Sequence, residues 1–128
     1  DNTVRYARLM LLRSVVDFEE MAHVPTPCFF DRGIIDTLGY ARLIDIPVTT
    51  CMEEAARAYR YNRTVFLFPF GEEIYTRDAE RKQEVEEARR TFIALKKEYE
   101  HFGYQTIEVP LLSPSERAEW ILGQISIR

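Results

Sequence analysis

The chain is poor in cysteine, histidine and glycine, and it carries no excess of positive charge. Its two cysteines, Cys28 and Cys51, stand apart and leave room for one disulfide at most. Two buried free thiols are the expectation, in keeping with a cytoplasmic protein. His23 and His101 have no neighbours at ligand spacing, so a zinc site of the usual kind is excluded. The net charge of −4 argues against a nucleic-acid surface, since a phosphate backbone calls for clustered Lys and Arg. No segment approaches the ~20 apolar residues of a membrane span. The opening residues Asp1-Asn2-Thr3-Val4-Arg5 do not form a signal peptide, and the missing initiator Met predicts that the chain starts inside a longer protein. Also absent is a G-x-x-x-x-G-K-[ST] loop, so the common phosphate cradle is not among these residues.

What is present suits one domain. A chain of 128 residues can bury roughly two thirds of its unfolded surface, and its apolar and charged fractions are ordinary for a globular protein. From Thr3 to Met21, Val4, Ala7, Leu11, Val15 and Phe18 recur at three- and four-residue spacing, which predicts a helix. Leu9, Leu12 and Val16 widen its stripe, so burial around much of its circumference is expected. Pro25 and Pro27 stop it. Cys28 to Asp31 reads as a continuous apolar strand covered on both faces. Short helices are expected over Ile34 to Leu43 and from Thr50 through Tyr59, the latter opened by a Thr50-x-x-Glu53 capping box.

Thr64 to Phe68 is a β-branched and aromatic strand stopped by Pro69. A short helix over Glu72 to Tyr75 and a charged turn follow. The heptad-like stripe Val85, Ala88, Phe92, Leu95, Tyr99 and Phe102 predicts a long helix from Glu84 to Phe102, closed at Gly103 by a left-handed cap. Ion pairs Glu86–Arg90 and Lys96–Glu100 are expected on its surface. A third strand, Gln105 to Val109, ends at Pro110. Ser113-Pro114-Ser115-Glu116 opens a last helix to about Ile125, with Ala118, Ile121, Leu122 and Ile125 inward. Strands alternating with helices imply parallel pairing and right-handed crossovers, hence an α/β three-layer sandwich.

Two groups of residues carry candidate chemistry. Asp31 and Arg32 would stand at the carboxyl edge of the first strand, where open α/β sheets bind ligands. There Asp31 would hold a magnesium-bound water or polarise an acceptor hydroxyl, and Arg32 would take a phosphate. The plainer reading is that Asp31 caps the next helix and Arg32 meets a surface acid. Asp36, one turn further, is expected to be solvated. Arg77 and Arg81 lie four apart, so on a helix they share a side and suit a triphosphate; alternatively, with Asp78 and Lys82, they are a solvated charge run. Tyr59-Arg60-Tyr61-Asn62-Arg63 reads as an exposed turn, and Trp120 as cover for a sheet edge or an interface.

The run Phe30-Asp31-Arg32-Gly33-Ile34-Ile35-Asp36-Thr37-Leu38-Gly39-Tyr40 resembles the F-D-R-G-x-x-D-T-x-x-Y signature of a family of AAA-type ATPases, small P-loop NTPases close in fold to nucleoside and nucleotide kinases. Tyr59-Arg60-Tyr61, Glu73-Ile74-Tyr75-x-x-Asp78-x-Glu80-Arg81 and Tyr99-x-x-x-Gly103-Tyr104 are similar to that family too, in order over essentially the whole chain. The resemblance implies a P-loop kinase-like fold binding ATP and Mg2+, with the first strand and P-loop lying upstream of this chain. Asp31-Arg32 would be the acid-arginine pair of the acceptor side, and Arg77 and Arg81 the arginines of a lid over the triphosphate. Pro110 and Leu111 would lie near the adenine. The function so implied is phosphoryl transfer from ATP to a small acceptor such as a nucleoside or nucleotide, with the fragment alone inactive. A nucleotide-binding regulator and a non-catalytic interaction domain are the alternatives. An open sheet edge would invite a homodimer.

Overall fold

The computed structural model describes residues 2–69 and 79–126, without the side chains of 79–81 and 126. Among the described residues, five helices and two strands follow one another: α1 (Asn2–Met21), α2 (Ile34–Leu43), α3 (Thr50–Ala58), β1 (Thr64–Leu67), α4 (Ala79–His101), β2 (Gln105–Glu108) and α5 (Pro114–Ser126). The class is α/β, mostly helical. The strands pair in parallel, Thr64 opposite Gln105 through Leu67 opposite Glu108. The crossover between them is α4, as parallel pairing demands.

The sheet is smaller than the three-strand sandwich that the sequence predicts. Cys28 to Phe30 has no regular secondary structure, Asp31 lies in a bend, and the run joins no ladder. A strand exists through its pairing, and among the described residues no backbone pairs with this run. Its side chains reflect that: Phe29 is 62% exposed and Cys28 only half-buried. Cys51 is exposed, so the two thiols are free as expected but not both buried. The expected helix at Glu72 to Tyr75 lies outside the described residues.

α2 is the centre of the molecule. Every residue from Ile34 to Gly39, and Ala41, is buried. Ala7 of α1, Met52 and Ala56 of α3, and Tyr99 of α4 pack around it. α4 comes close because position 39 is glycine: a Cβ there would lie 2.9 Å from a Leu95 methyl. Val65 faces this core while its neighbour Phe66 meets Trp120 of α5 edge-on, at 6.4 Å between ring centroids. Alternating side chains of β1 thus serve opposite faces. Trp120 covers a sheet face.

Local signals account for the helix ends. Ser113 and Glu116 form the expected reciprocal cap: the Glu116 amide donates to Ser113 Oγ at 3.3 Å and the Ser113 amide to Glu116 Oε1 at 3.1 Å. Gly103 adopts φ +86°, the left-handed cap after α4. The α3 cap is Thr49, one residue before the expected Thr50; its Oγ1 accepts the Met52 amide at 3.2 Å. α1 is narrower in its burial than its composition suggests, with Leu9, Leu12 and Val16 exposed. In α5, Ala118 and Leu122 are exposed and Trp120, Ile121 and Ile125 turn inward.

The surface pairs on α4 differ from the two expected. Glu86 meets Arg89 at 3.6 Å, and Lys96 reaches Glu108 of β2 at 3.3 Å, while Glu100 accepts from Thr106. The pair of consequence is Arg42–Glu98, which ties α2 to α4 at 2.7 Å; the Glu98 side chain is 6% exposed. Arg42 meets Oε1, and Glu98 Oε2 has no hydrogen-bond partner among the described residues. Arg42→Ala would leave this carboxylate buried without its cation. A loss of about 1–3 kcal/mol is expected in urea unfolding.

Candidate functional site

The unpaired run after α1 and the strand β1 line one cleft of about 1450 Å³. Pro27 to Gly33 forms one side and Thr64 to Phe68 another, with α4 and α5 supplying Phe92, Leu95, Ile121 and Ile125. Asp31, Arg32 and Asp36 contribute its charged lining on the α2 side. Phe30 stands between Phe18 of α1 and Tyr61, at centroid distances of 6.4 and 5.5 Å.

Arg32 has φ +73°, the left-handed region. A residue with a Cβ meets a cost of about 1–2 kcal/mol there. The strain sits in the turn that starts α2, so the structure around it must compensate. Gly33, the N-cap, has no side chain with which to cap. Instead the Gly33 amide donates to Asp36 Oδ1 at 2.9 Å, and the Ile34 amide, an otherwise open donor of the first turn, donates to the Tyr61 hydroxyl at 2.9 Å. A Cβ at position 33 would lie 2.9 Å from the Tyr61 ring, so glycine is needed for space.

Asp36 is buried, contrary to the solvated position expected from the sequence. The Tyr99 hydroxyl donates to the same Oδ1 that takes the Gly33 amide. Burial pushes the Asp36 carboxyl above the usual carboxylate range, against the pull of Tyr99, Gly33 and the Arg32 charge. Burial also pushes the Tyr61 hydroxyl up to about 12 and raises Tyr99 further. All three are therefore hydrogen-bonding groups near neutral pH, and the tyrosines stay protonated.

The sign of the Asp36 effect gives a test. The folded state binds this proton more tightly than the unfolded chain does, so the contribution favours folding at low pH and is lost as pH rises through the folded pKa. Asp36→Asn keeps an acceptor oxygen and removes the titration. The stability of the wild type relative to Asp36→Asn is expected to fall as pH climbs above about 4 and to level off once Asp36 ionises in the fold. Urea unfolding across that range measures it.

Arg77 lies outside the described residues, and so does the side chain of Arg81, whose backbone belongs to the first turn of α4. Pro110 and Leu111 follow β2 and are exposed, away from the cleft lining. The turn before β1 is more than an exposed connection. Arg60 donates to the Phe102 carbonyl at 2.7 Å and lies 4.2 Å from the Tyr104 ring centroid, and the Tyr61 amide donates to the Tyr104 hydroxyl at 3.0 Å. Sequence reasoning missed Tyr61 and Tyr99 as partners of the Asp31-Arg32 turn. The available signal was a tyrosine among the inward positions of α4, where phenylalanine would pack equally well.

A family model described as an AAA domain matches residues 1–117. The chain belongs to the AAA domain family. This is a P-loop NTPase family, in which nucleotide binding, typically of ATP with Mg2+, is general. Searches of curated proteins and of solved structures find no match. For an AAA domain the cleft offers part of what ATP and Mg2+ need. Asp31 is an exposed carboxylate and Arg32 an exposed guanidinium at its edge. Mg2+ is commonly held by one or two carboxylates together with substrate phosphates and water, which Asp31 suits. No group of three metal-binding side chains occurs among the described residues. No helix among them is long and apolar enough to cross a membrane.

Proposed function

We propose that this chain is the acceptor-side part of an ATP-dependent phosphotransferase acting on a small molecule such as a nucleoside or nucleotide. It forms a single α/β unit over residues 1–128, the C-terminal part of a P-loop domain. The observation that carries this reading is the strained Asp31-Arg32 turn on the edge of a large cleft. The left-handed backbone at Arg32 costs stability, its guanidinium makes no ion pair among the described residues, and a functional side chain would account for both.

In this reading Arg32 binds the transferred phosphoryl group or the acceptor's own phosphate, in the forked geometry that guanidinium offers. Asp31 accepts the hydrogen bond of the acceptor hydroxyl and orients it, and would hold a water of the Mg2+ ion; bound Mg2+ would neutralise phosphate charge. By the family resemblance, Arg77 and Arg81 would close over the triphosphate, and Pro110 and Leu111 would border the base, beyond the cleft lining. The phosphate-binding loop that the chemistry requires has the form G-x-x-x-x-G-K-[ST] and would precede Asp1.

The test is transfer of the γ-phosphate of ATP by the full-length protein to a panel of nucleosides and nucleoside monophosphates. Acceptor-dependent transfer is the expected result. ATP binding without acceptor-stimulated turnover would favour a nucleotide-dependent regulator instead. A full-length protein with an intact loop and no affinity for ATP would sink both.

A further inference from the structure

The supports of the Arg32 turn come from remote parts of the chain. A helix cap is normally a local device, and the Asp36 bond to the Gly33 amide is of that kind. Two further bonds are not. Tyr99, on α4 and 63 residues away, donates to Asp36 Oδ1, and Tyr61, 27 residues away, accepts from the Ile34 amide. Tyr61 is fixed in turn by its backbone bond to the Tyr104 hydroxyl, and the Tyr104 ring packs edge-on against Tyr99 at 5.7 Å. Phenylalanine would fill the space of Tyr61 and Tyr99 equally well. What their hydroxyls add is a grip on the residues that follow Arg32, whose backbone would otherwise relax.

We infer that Tyr99 and Tyr61 are positioning residues for Arg32: their hydroxyls, through Asp36 Oδ1 and the Ile34 amide, hold the Asp31-Arg32-Gly33 turn in the geometry that lines the cleft. The link to turnover rests on the phosphotransferase reading; the link to the turn does not. Neither tyrosine touches substrate in this scheme. Each acts on Arg32 through the first turn of α2. Because Tyr99 belongs to α4 and Tyr61 to the approach to β1, the turn is set by the packing of the core as well as by its own local cap.

The experiment uses the full-length protein with Tyr99→Phe, Tyr61→Phe and Arg32→Ala, singly and with each tyrosine change combined with Arg32→Ala. Amide hydrogen exchange reads the turn directly. Protection is expected to fall about tenfold at Gly33 in Tyr99→Phe and at Ile34 in Tyr61→Phe, with Leu38 in the same helix unchanged. In transfer assays each tyrosine variant is expected to lower kcat about tenfold in the wild-type background. Neither should add to the loss already caused by Arg32→Ala, because both act through that side chain. Unchanged protection at both amides overturns the inference. So does equal loss along all of α2, or additive losses in the double variants. If the wild type transfers no phosphoryl group, the phosphotransferase reading fails by itself. The exchange arm then decides alone, with loss confined to Gly33 and Ile34 upholding the clamp.

Discussion

Arg32→Gly is expected to move stability and activity in opposite directions. Glycine adopts φ +73° without the clash that a Cβ brings, so unfolding by urea should show a gain of about 0.5–1 kcal/mol after the added freedom of the unfolded chain is counted. Phosphoryl transfer should fall by about 10²–10³-fold in kcat/KM, the usual loss when one aligned donor to developing charge is removed. Arg32→Ala separates the two effects. It keeps the backbone strain and removes the guanidinium, so it should match the loss of transfer and leave stability near that of the wild type. The guanidinium makes no ion pair among the described residues, and the residue is exposed, so little packing is lost in either variant. If Arg32→Gly is more stable and equally active, the strain serves some end other than the proposed chemistry. Strain kept at a position where glycine would relieve it marks a place where the side chain matters more than the stability it costs.

Much of the fold was legible because its helices carry their own punctuation. The spacing that predicts Ile34 to Leu43 matches α2 residue for residue, and the Ser113 cap, the Gly103 turn and the parallel pairing of β1 with β2 follow from residue types alone. Two misreadings have a common cause. Cys28 to Asp31 has the composition of a buried strand, but composition cannot supply the neighbour that makes one. Leu9, Leu12 and Val16 have the composition of a buried face, but what covers a helix is decided by its neighbours, and α1 packs through Ala7, Leu11 and Val15.

The candidate site was legible only in part. Asp31 and Arg32 are recognisable from the acid-base-glycine run at the head of a helix. Their fixing is not. Asp36 looked like a solvated acid because its sequence neighbours give no hint of Tyr99, which reaches it across 63 positions. The lining of the cleft is likewise drawn from Phe18 to Ile125, elements that meet only in the fold.

Leu38→Ala should be the most damaging single truncation for stability. Leu38 is fully buried in the middle of α2, within the cluster that joins Ala7, Met52, Tyr99 and Phe102. Its surroundings come from several helices, and each is held by further contacts, so the space left behind cannot readily collapse. Truncations of this kind cost about 2–5 kcal/mol, against a total stability on the order of 5–15 kcal/mol for a domain of this size. A drop in Tm of roughly 10 °C or more is expected by calorimetry. Leu9→Ala is the control: the same chemical change on the 58% exposed face of α1 should alter stability by less than about 0.5 kcal/mol. The Leu38 loss should also reach the cleft. α2 carries Asp36 two residues before Leu38 and begins at the turn that holds Arg32, so loosening its core contacts should weaken protection at Gly33 and Ile34 together with Leu38. That uniform pattern is the opposite of the one expected for Tyr99→Phe. The two variants therefore distinguish damage to the scaffold from release of the turn: Leu38→Ala lowers stability and protection throughout α2, while Tyr99→Phe lowers protection where Arg32 is held.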